Sequence, residues 1–236
     1  MDIQAALNKL ETDRINNISI INFIKNNHVL SIDAVDNCIV ARGISDRKWV
    51  YINCPPDYNE FNFNNYLNRD DTCFAAIDEG MVPILTAGKE IIWDLTAVQY
   101  YLDDDVQIPV AHHKTVQLKA EDAQTVYLNS EYKAYLTLQY VSDRIERGIS
   151  AGLYEADKLV SWAITQDDGA IGFLHTLEHY RRKGYARSVT LSMIEWLRSE
   201  HELPFAYTVP SNNRSIDLLL ELGFKKNKTI HWFEIK

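Results

Sequence analysis

The chain has 236 residues, and 46% of them are hydrophobic, enough for a real core and too many for general disorder. Lys and Arg number 24 against 33 Asp and Glu, so the formal charge is −9. An acidic chain is a poor partner for nucleic acid or anionic membrane, since both demand excess positive charge. No apolar run approaches the roughly 20 residues of a membrane span, and the N-terminus lacks the basic-then-apolar pattern of a secretory leader. Cys38, Cys54 and Cys73 are odd in number and fit no metal spacing. The expectation is a soluble, cytoplasmic protein with reduced, buried thiols.

Ile3, Ala6, Leu7 and Leu10 recur at helical spacing and predict a first helix. Ile15, Ile18, Ile21 and Ile24 predict a second, with Asp13 as its cap. From His28 the texture turns to β. Residues 29–32, 38–41 and 49–52 are short β-rich runs, and Pro55 and Pro56 stop the third. A helix over 61–67, a strand over 74–77 and mixed structure through 93–102 follow. No internal repeat shows in the residues. The acidic segment 103–113, interrupted by Pro109, predicts a domain junction. It divides the chain into an α/β domain over 1–110 and a second domain over 116–236. Three neighbouring Asp residues do not converge on a cation, and His112-His113 reads as linker without further ligands, so no metal is expected.

The second half reads more sharply. Helices are predicted over 120–128 and 141–149, then strands over 151–155 and 159–164. Asp167-Asp168-Gly169 is a hairpin turn of the Asp-Gly type, and 170–177 is the third strand. An amphipathic helix over 186–199 carries Ala186, Val189, Met193 and Leu197 on one stripe. After Pro204 come a strand over 205–209 and a helix capped by Ser211 or Asn212. Gly223 ends that helix, and a last strand covers 229–235. The fold class is α+β, a mixed sheet with helices packed on it.

The chemistry concentrates in Tyr180-Arg181-Arg182-Lys183-Gly184-Tyr185-Ala186-Arg187, between the end of a strand and the start of a helix. Such a turn exposes unpaired amides where the helix carries partial positive charge. Gly184 lets the backbone approach a bulky anion, and Ala186 is too small to block it. Arg181, Arg182, Lys183 and Arg187 add four cations to an otherwise acidic chain. The turn is an anion cradle suited to a pyrophosphate. It is neither a P-loop nor a three-glycine dinucleotide fingerprint.

Arg181-Arg182-Lys183-Gly184-Tyr185-Ala186 resembles the Q/R-x-x-G-x-G/A loop of the GCN5-related N-acetyltransferase (GNAT) superfamily. Asn212, Ser215, Leu218, Leu222, Gly223 and Phe224 match its later element. Gly152-Leu153-Tyr154, Leu159-Val160-Ser161-Trp162, the run 177–184 and Pro204-Phe205-Ala206-Tyr207 are most similar to the glycine N-acyltransferase-like, or FR47-like, branch. The likeness covers 116–236 well. The branch often carries a smaller, degenerate GNAT-like first half. The resemblance implies a splayed mixed sheet and an acyl-CoA co-substrate, acetyl-CoA or another. It implies pantetheine pairing at His175, Thr176 and Leu177, with an oxyanion donor near Leu177. It implies diphosphate binding by the amides from Arg182 to Arg187, and a role for Asn212 and Ser215 across the cleft. The implied acceptor is a small-molecule amine or amino acid.

Two positions depart from that pattern. The leaving-thiolate acid of many members falls on Leu219, and a base near the start of the third strand falls on Ala170, with Gly172 next on the same face. Substitutes are His175, Asp168 and Tyr207. Strand alternation sets His175 opposite Ala170 and Gly172 unless a bulge re-aims it. Asp167 and Asp168 read as turn residues, and Tyr207 as a core or slot-lining aromatic. Three readings stand: an N-acyltransferase, a non-catalytic acyl-CoA-binding module, and a scaffold that kept the fold alone.

Overall fold

The computed structural model describes residues 1–35, 37–55, 66–133 and 136–236. The expected helix over 61–67 falls largely outside them. The described chain forms two compact units. The first comprises Met1–Gln99, Thr208–Ser211 and Lys226–Lys236, and the second Tyr100–Tyr207 and Asn212–Lys225. The second unit thus starts at Tyr100 rather than at 116, and the chain's last residues count with the first. Cutting the chain once, near 110, misses both points.

In the first unit, helices α1 (Ile3–Leu10) and α2 (Arg14–Asn26) precede strands β1 (His28–Val35), β2 (Cys38–Ile44) and β3 (Lys48–Asn53). Asp2 caps α1 by accepting the Ala5 amide, whereas Asp13 at the start of α2 makes no side-chain cap. β4 (Cys73–Asp78), α3 (Val82–Thr86) and β5 (Ile91–Tyr101) follow. β5 is one continuous strand where mixed structure was expected. The sheet of this unit runs β1-β2-β3-β4-β10-β5, with β10 (Lys225–Ile235) supplied by the chain's end. Alternation divides its side chains between two cores. Ile39, Ala41, Trp49 and Tyr51 pack with α1 and α2, while Val40, Val50, Ile52 and Phe74 pack with Met81, Leu85 and Phe233.

Cys38 and Cys54 flank the paired residues Ile39 and Asn53 on antiparallel strands and are joined in a disulfide. The expectation of reduced thiols is corrected there, because facing positions on neighbouring strands bring two sulfurs together whatever their distance in sequence. Cys73 is free and buried. No helix among the described residues is long and apolar enough to cross a membrane.

A buried ion-pair network holds the approach to β4. Arg42, 2% exposed, donates to Asp71 at 2.8 Å, to Asp33 at 2.5 Å and to the Tyr66 carbonyl at 2.6 Å. Lys48 lies 2.8 Å from both Asp70 and Asp71. Burial alone would raise the Asp71 pKa, but hydrogen bonds from Arg42 and Lys48 outweigh it and hold it below the usual carboxylate range. The stability this contributes is present above about pH 4 and is lost as acid protonates the folded carboxylate.

In the second unit, α4 (Ala123–Asn129) and α5 (Leu138–Arg147) precede β6 (Ser150–Glu155), β7 (Lys158–Thr165) and β8 (Ile171–Thr176). Then come α6 (Tyr185–Ser199), β9 (Phe205–Thr208) and α7 (Asn213–Glu221). β6, β7 and β8 pair antiparallel, and β8 pairs parallel with β9 at Ile171 and Ala206. Gly223 closes α7 at φ +92°, with the Phe224 amide bonded to the Leu219 carbonyl at 3.0 Å. Among the described residues, helix, helix, three strands, strand, helix, strand is the order from α1 to β5, and the order from α4 to β10 is the same with α6 inserted after the third strand. β3 likewise pairs parallel with β4 at Val50 and Phe74. This internal repeat escaped the residue-level reading because it lies in element order and strand pairing.

We expect Asp71→Asn to destabilise the first unit by about 2–4 kcal/mol, since it leaves the buried Arg42 with the half-exposed Asp33 as its remaining carboxylate. Urea denaturation at pH 7 reads this, and a loss under about 1 kcal/mol would contradict the network's role.

Candidate functional site

The second unit builds the site around the N-terminus of α6. Glu178–Tyr180 forms a single tight turn after β8. Arg182 and Gly184 then adopt left-handed backbone, at φ +64° and +79°. Alternating hand turns successive amides toward one side, a nest for anions. The first backbone bond of the helix runs from Ser188 to the Gly184 carbonyl. Among the described residues, the amides from Arg182 to Arg187 donate no hydrogen bond. A Cβ at Gly184 would meet only His113 Nε2, 3.7 Å away, so space is open there and φ is the constraint.

The turn is tied from behind. Glu155 accepts the Tyr185 hydroxyl and sits 3.7 Å from Lys183 Nζ. His113 Nε2 lies 3.0 Å from the Lys183 carbonyl, and the His113 amide donates to Ser188 Oγ at 3.3 Å. Its ring meets Tyr185 edge-on at 4.8 Å. Thr115 and Val116 continue this strap through Ser192 and Gly152. The supposed linker is thus part of the site. Asp103 is fixed too, with Arg198 donating to its carbonyl at 2.7 Å and Lys225 paired to its carboxylate. Nothing in the sequence pattern marked His113, since its partners lie about 70 residues away.

The four predicted cations fare differently. Arg181 Nε donates to the Thr176 carbonyl at 3.1 Å. Lys183 lies over the rings of Tyr180 and Tyr185, at 5.2 and 5.7 Å. Arg187 pairs with Glu221 of α7 at 2.5 Å. Arg182 has no ion-pair partner among the described residues. Ala186, half-buried, opens α6 beside them. Asn212 caps α7 by accepting the Ser215 amide at 3.2 Å, and no bond among the described residues ties either to the turn.

β8 departs from simple alternation. Trp162 faces His175 and Ile164 faces Gly172, which leaves one extra residue on β8. Phe173, at φ +54°, absorbs it as a bulge. The expected phase is corrected accordingly, because the bulge places His175 on the same face as Gly172. Its ring stacks on Trp162 at 4.9 Å. Burial, reinforced by Arg181, lowers the His175 pKa and favours the neutral ring. In the stretch where an oxyanion donor was expected, the Leu177 amide itself bonds the Val160 carbonyl at 2.9 Å. The carbonyls of His175 and Thr176 already accept from Ser161 and Arg181.

The turn before β8 holds more than turn residues. Asp168 is 1% exposed and accepts the Tyr207 hydroxyl at 2.5 Å and the Ala170 amide at 3.2 Å. Burial first, and the neighbouring Asp167 second, push its pKa up to about 7. Asp167 accepts the Tyr140 hydroxyl of α5 at 3.2 Å. Tyr207, half-buried, is the first residue of β9 beyond the pair that joins it to β8. Ala170 and Leu219 are buried and carry no proton-transfer group. Among the described residues, no cluster of His, Cys, Asp and Glu is placed to hold a metal.

Residues 148–233 match the model of the FR47-like protein family. No curated protein matches the chain. A Drosophila protein solved by structural genomics shares the whole fold, with TM-score 0.82 and 17% identity over 100% of this chain and 97% of that one. A GCN5-related N-acetyltransferase from Kribbella flavida matches with TM-score 0.58 and 12% identity over 94% of each chain. A tandem GNAT protein from the clavulanic acid biosynthesis pathway matches with TM-score 0.55 and 13% identity over 93% of this chain and 87% of that one. The chain has the GNAT fold.

The raised Asp168 pKa has a definite sign in stability. Its contribution is full below about pH 4 and is lost as pH rises through about 7, because ionising the buried acid costs energy. We expect Asp168→Asn to remove that fall. Urea midpoints of wild type and variant at pH 5 and pH 8 check this, and identical pH dependence in both would contradict the buried-acid assignment.

Proposed function

We propose that the protein is an acyl-CoA-dependent N-acyltransferase acting on a small amine or amino acid by direct attack. The observation that carries this reading is the run of unbonded amides from Arg182 to Arg187 at the head of α6. Amides left without acceptors are costly unless water or a ligand meets them, and a diphosphate is an ideal acceptor for several at once. The bare guanidinium of Arg182 and the ammonium of Lys183 add charge at the same place. Acetyl-CoA or another acyl-CoA supplies the activated acyl group. The match over 148–233 and the GNAT fold support the same chemistry.

The reaction asks for a neutral amine, a donor for the tetrahedral oxyanion and a proton for the leaving thiolate. β8 is kinked beside β9, and among the described residues the two strands pair at Ile171 and Ala206 alone. His175 is half-buried on the bulged strand, where burial and Arg181 lower its pKa. A second reading, an acyl-CoA-binding module without turnover, is favoured by Ala170 and Leu219, buried residues at the two positions where the resemblance puts the base and the acid. Turnover separates the two readings.

CoA at a hundred times its Kd should stabilise the protein by about 2.7 kcal/mol, visible as a raised melting temperature. Gly184→Glu should abolish that shift. Gly184→Ala carries the same left-handed backbone penalty, about 1–2 kcal/mol, without the charge, and should keep part of it. A full CoA shift in folded Gly184→Glu would remove the turn from the account.

A further inference from the structure

The family resemblance leaves the proton of the incoming amine unaccounted for, and the second unit holds a paired device for it. We infer that Tyr207 and Asp168 act as one proton relay, Tyr207 taking the proton of the acceptor ammonium as its own hydroxyl proton passes to Asp168. The inference rests on the acyltransferase reading and supplies the base that reading lacks.

Three observations converge on the pair. Tyr207 is the first β9 residue past the pair Ile171–Ala206, where, among the described residues, the pairing of the two strands ends. It belongs to the same face of the sheet as Gly172, because Ala206 and Ile171 face the other way. Its hydroxyl donates to Asp168 at 2.5 Å, a short, charge-assisted bond. Asp168 in turn is buried at 1% exposure, and its other oxygen accepts the Ala170 amide. A carboxylate so enclosed is reached through the tyrosine. A hairpin turn needs no such residue, and a solvated Asp would serve it better.

The balance is simple. The ammonium gives one proton to Tyr207 Oη while the Tyr207 hydroxyl proton moves to the Asp168 carboxylate, leaving a neutral amine and a neutral carboxylic acid. The amine lone pair forms the C–N bond at the thioester carbonyl, the C–S bond breaks, and the thiolate leaves with the second nitrogen proton. Asp168 then returns its proton to water through Tyr207. A proton acceptor that titrates close to neutrality is matched to this duty. The groups that face it are Asp167 in its own turn, Tyr207 on β9 and, through Asp167, Tyr140 on α5, whose ring lies 5.9 Å from the Arg144 guanidinium. His175 lies further along β8 on the same face.

The test uses the full chain, acetyl-CoA and a panel of primary amines and amino acids, with thiol release as readout and CoA-induced melting shift as the binding control. Asp168→Asn and Tyr207→Phe should each lower kcat/KM by about a hundred- to ten-thousandfold with the CoA shift intact. The double variant should lose little more than either single one, because the two act as a unit. The acid limb of the pH profile should vanish in Asp168→Asn and persist in His175→Ala. A loss under about tenfold in Asp168→Asn or Tyr207→Phe, or a limb that disappears with His175 instead, overturns the relay and leaves the acyltransferase reading standing. CoA binding by the wild type without turnover of any amine overturns the relay and leaves the cofactor site. No CoA binding by the wild type overturns both.

Discussion

A run of backbone amides with no acceptor persists only if the chain around it is tied elsewhere. The second unit supplies those ties. His113 and Ser188 hold one flank of the turn, Glu155 holds Tyr185 and Lys183 from β6, and Arg187 is pinned to Glu221 of α7. Left-handed backbone at Arg182 and Gly184 fixes which way the amides point. Each tie uses a side chain or a carbonyl and spares the amides. The sequence of this turn therefore encodes an anion site in its backbone, with cations added at the rim.

The same logic applies one strand earlier. The bulge at Phe173 costs β8 part of its regular pairing with β7, and among the described residues the parallel pairing with β9 holds at one position. A fully zipped sheet would leave no edge for a substrate. The bulge also decides which side chains share a face, bringing His175 round to that of Gly172. At the joint with β9 sits Asp168, an enclosed acid whose pKa is pushed up to about 7, bonded to a tyrosine. Binding and proton transfer are thus placed by two local irregularities in an otherwise ordinary sheet, as strained backbone at functional sites often is.

Most elements of the fold were legible because periodicity reports burial. The runs at 38–41 and 159–164 and the stripe on α6 bury the residues their spacing predicts, while on α1 Ala6 and Leu10 are buried and Ile3 stays exposed. The Gly184 turn was legible because Arg, Gly and Ala at that spacing, between a strand and a helix, have few other uses. What escaped was everything carried by distant partners. His113 reads as linker until Lys183 is found beside it, and Asp168 reads as a turn until Tyr207 reaches it. Cys38 and Cys54 look indifferent until β2 and β3 are paired. The phase of β8 was misread because Phe is a poor sign of positive φ, and alternation carries no warning of an inserted residue. The repeat of element order was hidden for a related reason. The last strand of the chain, β10, belongs to the first unit, so a linear division cannot show it.

What the open turn at the head of α6 binds decides the function. A crystal structure of the protein with CoA tests it most directly. The account predicts diphosphate oxygens within about 2.7–3.2 Å of several amides between Arg182 and Arg187. CoA bound elsewhere with this turn empty, or no CoA in a crystal that leaves the turn accessible, would contradict it.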